Sequence, residues 1–216
     1  LDRFSIRALY GVAIMKVREM AVPDAYHITP HQFLDERGSF YESFRHDRLA
    51  EEIGRPVPVA QVNYSVSRRH TLRGLHGTLL PPGQAKVVCV VRGAVLDIVV
   101  DLRVGSPTWG VHEANWMSAE SGEALFVAEG LVHGFLALTD DTCVSYLCST
   151  GFVPGTQVDI DPLDPELALP WGLAETPLMS QKDSSAISVA QAGAAGLLAG
   201  YDDCLTHYTA LRDAAR

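Results

Sequence analysis

The sequence is poor in basic charge, in long apolar runs and in cysteine. Its 17 Lys and Arg residues are outnumbered by 26 Asp and Glu residues, which gives a net charge of −9. Nonspecific nucleic-acid binding depends on clustered basic side chains that release counterions, so this charge argues against a nucleic-acid partner. No run of eighteen apolar residues occurs, so no membrane-spanning helix and no membrane partner are predicted.

The four cysteines show no spacing that is typical of metal ligands. They are Cys89, Cys143, Cys148 and Cys204. Free cysteine commonly behaves as a small buried apolar residue. We therefore expect reduced thiols in a cytoplasmic protein.

Residues 1–14 need separate treatment because they precede a natural-looking start at Met15-Lys16-Val17. The segment is mildly apolar, but Arg3 and Arg7 interrupt it and no small-residue cleavage site follows. A signal peptide is therefore not predicted. We interpret residues 1–14 as an upstream extension or an expression remnant.

The middle of the chain, from Gln61 to Gln157, is a series of short strand patterns. With 216 residues, 47% of them hydrophobic, the chain is long enough for one domain with a substantial core. Strands are predicted over residues 84–91, 94–101, 111–117, 123–127, 134–138 and 142–148. Arg92-Gly93 predicts a two-residue hairpin turn between the first two. Evenly spaced strands without intervening helices indicate an all-β, antiparallel sandwich or barrel.

Helical patterns lie outside this series of strands. A short helix is predicted over residues 45–53, ended by Gly54 and Pro56. Residues 186–216 are rich in Ala and Leu and predict a helical tail, although three glycines weaken its middle. We therefore expect one β domain over residues 15–185, followed by this short C-terminal helical tail.

The cupin-type jelly roll is the first all-β architecture to test, because many cupins bind a metal through histidines. Such a site usually takes two histidines and a carboxylate from one hairpin and another histidine further on. His133 could be the later ligand, but Gly74 stands two residues before His76, and His70 is six residues away. Dispersed histidines do not make a three-ligand site. We therefore predict a jelly roll without a metal.

The segment Arg73-Gly74-Leu75-His76, followed by Lys86, is the most informative part of the sequence. An imidazole can take up a proton near neutral pH, and an ammonium group can stabilise the charge that a deprotonated carbon acid carries. A lone histidine on a strand is more often structural. A site is favoured here by further candidates elsewhere in the chain. They are Asp35-Glu36-Arg37-Gly38, Gln61-Val62-Asn63, His133, Tyr146 and Asp183.

Nine motifs in order resemble one family. They are Asp35-Glu-Arg-Gly-Ser-Phe-Tyr-Glu42, Gln61-Val-Asn-Tyr-Ser-Val-Ser67, Leu72-Arg-Gly-Leu-His76, Pro82-Gly-Gln-Ala-Lys86, Val99-Val-Asp-Leu-Arg103 with Ser106-Pro-Thr108, Glu129-Gly-Leu-Val-His-Gly-Phe135, Tyr146-Leu-Cys-Ser149, Asp161-Pro162 and Ser180-Gln-Lys-Asp183. Together they resemble the nucleotide-sugar epimerases that act on dTDP-4-keto-6-deoxy-glucose, typified by dTDP-4-dehydrorhamnose 3,5-epimerase. The resemblance implies a cupin-type jelly roll without a cofactor, a homodimer, and a dTDP-4-keto-6-deoxyhexose as substrate.

The resemblance also implies a role for four catalytic residues. In this family a base removes a proton beside the 4-keto group, an enolate forms, and an acid returns a proton to the opposite face. His76 matches the base, and Asp183 matches the carboxylate that fixes the imidazole and raises its basicity. Lys86 matches the group that stabilises the enolate oxygen. Tyr146 matches the proton donor, because a phenol is protonated at neutral pH.

Substrate-binding positions follow from the same resemblance. Arg37 and Arg73 match the diphosphate contacts, with Arg37 reaching in from the partner subunit through an exchanged N-terminal segment. The positions around the thymidine are Phe40, Glu42, Gln61 and Asn63. His133 either matches a second histidine near the sugar or is a structural residue at a strand start. Lys182 either contacts phosphate or is a solvated lysine.

Three positions depart from the family pattern. Phe152 stands where double epimerases commonly have a second tyrosine, Leu79 where many have Gln, and His112 where Trp is frequent. Because the hydroxyl that could hold Tyr146 is missing, we expect inversion mainly at the 3-centre. The product would be dTDP-4-keto-6-deoxy-D-allose, for antibiotic deoxysugar biosynthesis. The alternatives are a full 3,5-epimerase giving dTDP-4-keto-L-rhamnose, a 3,4-ketoisomerase on the same substrate, and a sugar-nucleotide-binding cupin without turnover.

Overall fold

The computed structural model describes residues 15–214, so the interpretation of residues 1–14 lies outside the described part. The strands are β1 (Met15–Glu19), β2 (Ala25–Pro30), β3 (Phe33–Asp35), β4 (Gly38–Phe40), β5 (Gln61–Ser67), β6 (Leu72–Thr78), β7 (Lys86–Arg92), β8 (Ala94–Val100), β9 (His112–Ser118), β10 (Ala124–Val127), β11 (Val132–Ala137), β12 (Thr142–Cys148) and β13 (Gln157–Asp159). The helices are α1 (His46–Ile53), α2 (Gln181–Ser184), α3 (Val189–Ala194) and α4 (Tyr201–Asp213).

Two large antiparallel sheets form the body of the protein. The six-stranded sheet has the order β1-β2-β10-β7-β12-β5, and the five-stranded sheet has the order β13-β6-β11-β8-β9. Strands β3 and β4 form a separate hairpin. Apolar residues of both large sheets share one core cluster, so the sheets pack against each other. The predicted fold class, an all-β jelly roll of the cupin type with a short helical C-terminal part, is confirmed.

The predicted hairpin between β7 and β8 is wrong. β7 ends at Arg92 and β8 begins at Ala94, but β7 pairs with β10 and β12, whereas β8 pairs with β9 and β11. Gly93, with φ 79°, turns the chain from one sheet into the other. A Cβ at this glycine would lie 2.3 Å from Thr139 Oγ1, so the corner leaves no room for a side chain. A short turn between two apolar strands fits a hairpin and a sheet-to-sheet corner equally well.

The five-stranded sheet is apolar on both faces. Along β8, Val95 and Val99 belong to the cluster shared with the other large sheet, while Leu96 and Ile98 point the opposite way and belong to a second cluster. The second cluster is completed by side chains from residues 158–198, among them the buried Trp171. The chain after β13 therefore covers the outer face of this sheet.

Glycines mark the ends of the helices. The short helix predicted over residues 45–53 is confirmed as α1, and Gly54 adopts the left-handed conformation at its C-terminus with φ 72°. In the C-terminal region, α4 starts directly after Gly200, and the glycine-rich stretch before it separates α4 from α3. Among the described helices, none has the length and apolar character that crossing a membrane requires.

A buried ion pair lies beneath α4, between the segment after α1 and the segment after β10. Arg55 Nη2 donates to Glu129 Oε2 at 2.6 Å, and both side chains are almost fully buried. The Arg55 guanidinium lies 4.5 Å from the centre of the Tyr208 ring, and the Tyr208 hydroxyl donates to the carbonyl oxygen of Glu129. His207 Nε2 lies 3.7 Å from Glu129 Oε1. We call these four residues the Glu129 cluster.

Candidate active site

A cavity of about 160 Å³ lies between the two large sheets. Its lining residues are Ser65, Arg73, His76, Lys86, His133, Gly134, Phe135 and Tyr146. The six-stranded sheet contributes side chains from β5, β7 and β12, and the five-stranded sheet contributes β6 and β11. Five of the candidates that the sequence singled out are thus brought together from strands far apart in the chain.

His76 and Asp183 form a histidine–carboxylate pair at the cavity. His76 Nε2 lies 2.7 Å from Asp183 Oδ1, and the imidazole side chain is 33% exposed while the carboxylate is 5% exposed. Ser180 caps α2 and donates its hydroxyl to Asp183 Oδ2 at 2.9 Å. Burial raises the pKa of Asp183, but the hydrogen bonds from His76 and Ser180 outweigh burial and lower it below its usual value. The carboxylate is therefore ionised beside the imidazole.

Close packing of two glycines explains why position 74, two places before His76, is not occupied by a second histidine. A Cβ at Gly74 would lie 2.7 Å from the Cα of Gly134, and a Cβ at Gly134 would lie 2.7 Å from the carbonyl oxygen of Arg73. The pairing of β6 and β11 also shifts register between His133 and Phe135. A histidine at position 74 would have no space here.

Within residues 15–214, no three His, Cys, Asp or Glu side chains are grouped to hold a metal ion.

Lys86 opens β7 and is half-buried. Burial lowers its pKa, while Cys148 and the carboxylates of Asp97 and Asp159 oppose that shift. Among the described residues, no carboxylate forms an ion pair with its ammonium group. The charge of Lys86 is thus available to a ligand in the cavity.

Tyr146 lies on β12 and makes a hydrogen bond that sequence analysis missed. Its hydroxyl is 3.0 Å from Ser65 Oγ on the neighbouring strand β5. Position 152 offers no hydroxyl, as the sequence indicated, and Tyr146 has its hydroxyl partner in Ser65 instead. Burial raises the pKa of Tyr146, and the Ser65 hydrogen bond opposes that rise. Alternation along β5 could have pointed to Ser65, since Asn63 and Ser65 share a face.

A second histidine–carboxylate pair stands beside the first. His133 lies opposite His76 in the pairing of β11 with β6, and its Nδ1 is 3.1 Å from Asp97 Oδ2. Burial lowers the pKa of His133, and Asp97 opposes that shift. Asp97 is fully buried, and its Oδ1 has no hydrogen-bond partner within the described residues. Sequence analysis missed Asp97 because one acidic residue in an apolar strand carries no motif.

Polar side chains continue from the cavity along β5. Arg73 Nε donates to Ser67 Oγ at 3.0 Å, which holds the guanidinium at the cavity wall. Gln61 Nε2 donates to Asn63 Oδ1 at 2.8 Å, and Gln61 Oε1 accepts from the backbone N–H of Phe152. The arginine, which lies on β6, therefore contacts the same strand that carries the amide pair.

Six of the eight predicted binding residues do not line the cavity of their own chain, and three of these six lie in or next to the β3–β4 hairpin. Arg37 is 80% exposed in the turn between β3 and β4 and pairs with Asp35. Phe40 is exposed on β4. Glu42 lies 3.7 Å from Arg45. A single chain does not bring these residues to the catalytic candidates.

Lys182 is exposed, with 55% of its side chain accessible, and it forms an ion pair near the site. Its Nζ lies 2.8 Å from Asp159 Oδ1. The same Asp159 oxygen lies 3.7 Å from His76 Nε2. Lys182 is therefore connected to the site through Asp159, and its contact with phosphate stays a prediction.

A cupin-like jelly roll whose cavity holds a paired imidazole, an ammonium and a phenol has the groups that proton-transfer enzymes use. The family model described as dTDP-4-dehydrorhamnose 3,5-epimerase matches residues 19–191. The chain belongs to this family of dTDP-sugar epimerases, as its motifs predicted.

Individual relatives cover almost the whole chain. The dTDP-4-dehydrorhamnose 3-epimerase of Streptomyces niveus is 47% identical over 190 residues, covering 88% of this chain and 91% of the relative. The dTDP-4-dehydrorhamnose 3,5-epimerase of Streptomyces griseus is 43% identical over 189 residues, covering 88% and 94%. A similar solved structure is NovW, a 4-keto-6-deoxy sugar epimerase from the novobiocin biosynthetic gene cluster of Streptomyces spheroides. Its TM-score is 0.85 at 45% identity, covering 90% of this chain and 99% of NovW.

Proposed function

We propose that the protein epimerises dTDP-4-keto-6-deoxy-D-glucose by removing a proton from a carbon beside the 4-keto group. The observation that carries this proposal is the placement of a candidate base and a candidate acid on opposite sheets of one cavity. His76 lies on the five-stranded sheet and Tyr146 on the six-stranded sheet. A sugar ring between them could lose a proton from one face and receive one on the other.

The proposed reaction assigns one proton step to each group. His76 takes the carbon-bound proton and becomes an imidazolium, which the ionised Asp183 stabilises at 2.7 Å. The electron pair moves to the keto oxygen, and the ammonium of Lys86 stabilises the resulting enolate. Tyr146 gives its phenolic proton to the opposite face of the carbon. The phenolate then recovers a proton from solvent, and His76 releases the one that it took.

The substrate's nucleotide would be bound by two subunits. Arg73 and the amides of Gln61 and Asn63 stand on the cavity's own chain, and His133 would face the sugar. The partner subunit's Arg37 would reach the diphosphate through an exchanged N-terminal segment, together with Phe40 and Glu42 from the same segment.

Two observations support this homodimer. Arg37 and Phe40 of the β3–β4 region are exposed, and together with the partly buried Glu42 they lie outside the cavity of their own chain. The face of β5 that points away from the cavity is apolar and exposed, with Val62, Tyr64 and Val66 between 47% and 66% accessible. A surface of this kind on an edge strand is suited to burial against a second copy.

Inversion at the 3-centre alone is the first candidate for the stereochemical outcome. The Streptomyces niveus relative is named a 3-epimerase, and NovW comes from an antibiotic gene cluster. On this proposal the product is dTDP-4-keto-6-deoxy-D-allose, made for an antibiotic deoxysugar.

The Ser65–Tyr146 hydrogen bond favours a second candidate, inversion at both centres. The expectation of 3-centre inversion depended on a tyrosine without a hydroxyl partner, and Ser65 supplies that partner at 3.0 Å. The Streptomyces griseus relative is named a 3,5-epimerase at similar identity.

Proton NMR of the substrate in deuterium oxide separates the two candidates, because each inverted centre takes up solvent deuterium. Uptake at the 3-centre, with slow or absent uptake at the 5-centre, is expected for the first. Comparable rates at both centres would establish the second. No uptake at either centre would refute epimerisation on this substrate.

A further inference from the structure

The Ser65–Tyr146 hydrogen bond joins two neighbouring strands inside the cavity. In the pairing of β5 with β12, Tyr146 lies opposite Asn63, so Ser65 is its diagonal neighbour two residues further along β5. Diagonal neighbours of this kind are within reach of a tyrosine. The two oxygens are 3.0 Å apart, and both residues line the cavity.

The chemistry of the step decides which hydroxyl must donate. Either hydroxyl of the pair can be the donor in the resting protein. Once Tyr146 has given its proton to carbon, its oxygen is a phenolate, which only accepts hydrogen bonds. Ser65 must then be the donor. Because burial disfavours the phenolate, a hydrogen bond that stabilises it lowers the barrier to this proton transfer.

We propose that Ser65 is a positioning residue, which aims the Tyr146 hydroxyl into the cavity and donates to its phenolate during reprotonation. The inference rests on the proposed function. Each enolate has two fates, since it either regains a proton from His76 and returns to substrate or receives one from Tyr146 and becomes inverted product. Loss of the Ser65 hydroxyl should impair the second fate and leave the first.

The neighbouring Ser67 provides a matched comparison. It lies two residues along the same strand and face, but it accepts a hydrogen bond from Arg73 Nε at 3.0 Å rather than contacting Tyr146. Removal of the Ser67 hydroxyl should therefore raise KM, because the arginine that is proposed to bind the diphosphate loses its support. The ratio of enolate that returns to substrate to enolate that becomes inverted product should not change.

The test compares Ser65→Thr with Ser65→Val, which have the same shape and differ in the hydroxyl. Both variants, Ser67→Ala and the wild-type protein react with dTDP-4-keto-6-deoxy-D-glucose in deuterium oxide. NMR measures deuterium at the 3-centre of unreacted substrate and the amount of inverted product. We expect the ratio of substrate exchange to inversion to rise about tenfold or more in Ser65→Val, as a lost hydrogen bond to a charged oxygen predicts. Ser65→Thr and Ser67→Ala should keep the wild-type ratio.

Two results would overturn the inference without touching the proposed function. The first is that the rates of deuterium exchange into substrate and of product inversion decrease by the same factor in Ser65→Val. The second is that turnover of Ser65→Val stays at the wild-type rate. A wild-type protein that neither exchanges nor inverts would instead refute the proposed function, and the inference with it. A Ser65→Val protein that does not fold is replaced by Ser65→Ala, with the same two overturning results.

Discussion

The molecule holds charged side chains away from water in several places, and two of these places differ in whether the charges are paired. In the Glu129 cluster, Arg55 and Glu129 are 6% and 3% exposed and meet at 2.6 Å. In the cavity, Lys86 has no ion-pair partner within the described residues, and behind the cavity-lining His133 one oxygen of Asp97 has no hydrogen-bond partner among those residues. The first arrangement is closed to further contacts, and the second is open to a ligand.

The pKa values of the two regions follow this difference. Burial alone would raise the pKa of Glu129, but His207 and Arg55 outweigh burial and bring that pKa to about 2. For two cavity residues burial prevails, since it lowers the pKa of Lys86 and raises that of Tyr146. Removing one partner of a buried charge pair is destabilising, whereas a buried charge left unpaired is available for chemistry.

The largest expected effect is the loss of activity in His76→Asn. Imidazole is the base that the cavity offers near neutral pH, and removal of a general base typically costs about a hundredfold to ten-thousandfold in rate. Steady-state kinetics should show this loss, while nucleotide binding by calorimetry and the free energy of unfolding stay close to the wild-type values. Turnover near the wild-type rate would refute the role of His76 and the contrast between the two regions.

For Glu129→Gln we expect a loss of stability and no loss of activity. Removing one partner of a buried ion pair leaves an uncompensated charge, which costs about 3–5 kcal/mol of the free energy of unfolding. Urea unfolding measures this loss, and activity per folded molecule should remain. The matched control is Glu51→Gln, which breaks an exposed pair with Arg48 and should cost no more than about 1 kcal/mol. Equal losses in the two variants would contradict the interpretation of the Glu129 cluster.

Acid should weaken the protein through the same cluster. The pKa of Glu129 is about 2 in the folded protein against 4.5 as its ordinary value. Because the folded value is lower, the stabilisation is present above about pH 4.5 and is lost as pH falls from there towards 2. Its size is roughly 3 kcal/mol. Unfolding measured across this range should show a smaller decline for Glu129→Gln, and an unchanged decline would exclude Glu129 as its source.

The smallest effect is expected for Phe152→Tyr. Phe152 is 61% exposed, and Tyr146 already has a hydroxyl partner in Ser65. A new phenol at position 152 should change the ratio of deuterium uptake at the 5-centre to that at the 3-centre by less than about threefold, the effect of a hydrogen bond weakened by solvent. A gain of tenfold or more would mean that position 152 controls the second centre.

The sequence predicted the strands of the middle region because short apolar, β-branched runs separated by glycine and turn residues are a local property. Predicted strands over residues 123–127 and 142–148 match β10 and β12 within one residue. The motifs also identified the family, and they included His76, Lys86 and Tyr146, which line one cavity. Motif order and side-chain chemistry can be read directly from the sequence, so these predictions needed no knowledge of which strands pair.

Only the tertiary structure decided which strands meet. It placed β7 and β8 in different sheets, brought Ser65 to Tyr146 across 81 residues of sequence, and set Asp97 behind His133. It also left Arg37 outside the cavity of its own chain. Periodicity determines which face of a strand a side chain occupies, but partners across a sheet depend on the register of strands distant in sequence. That register is fixed by packing over the whole core and has no local sequence signal.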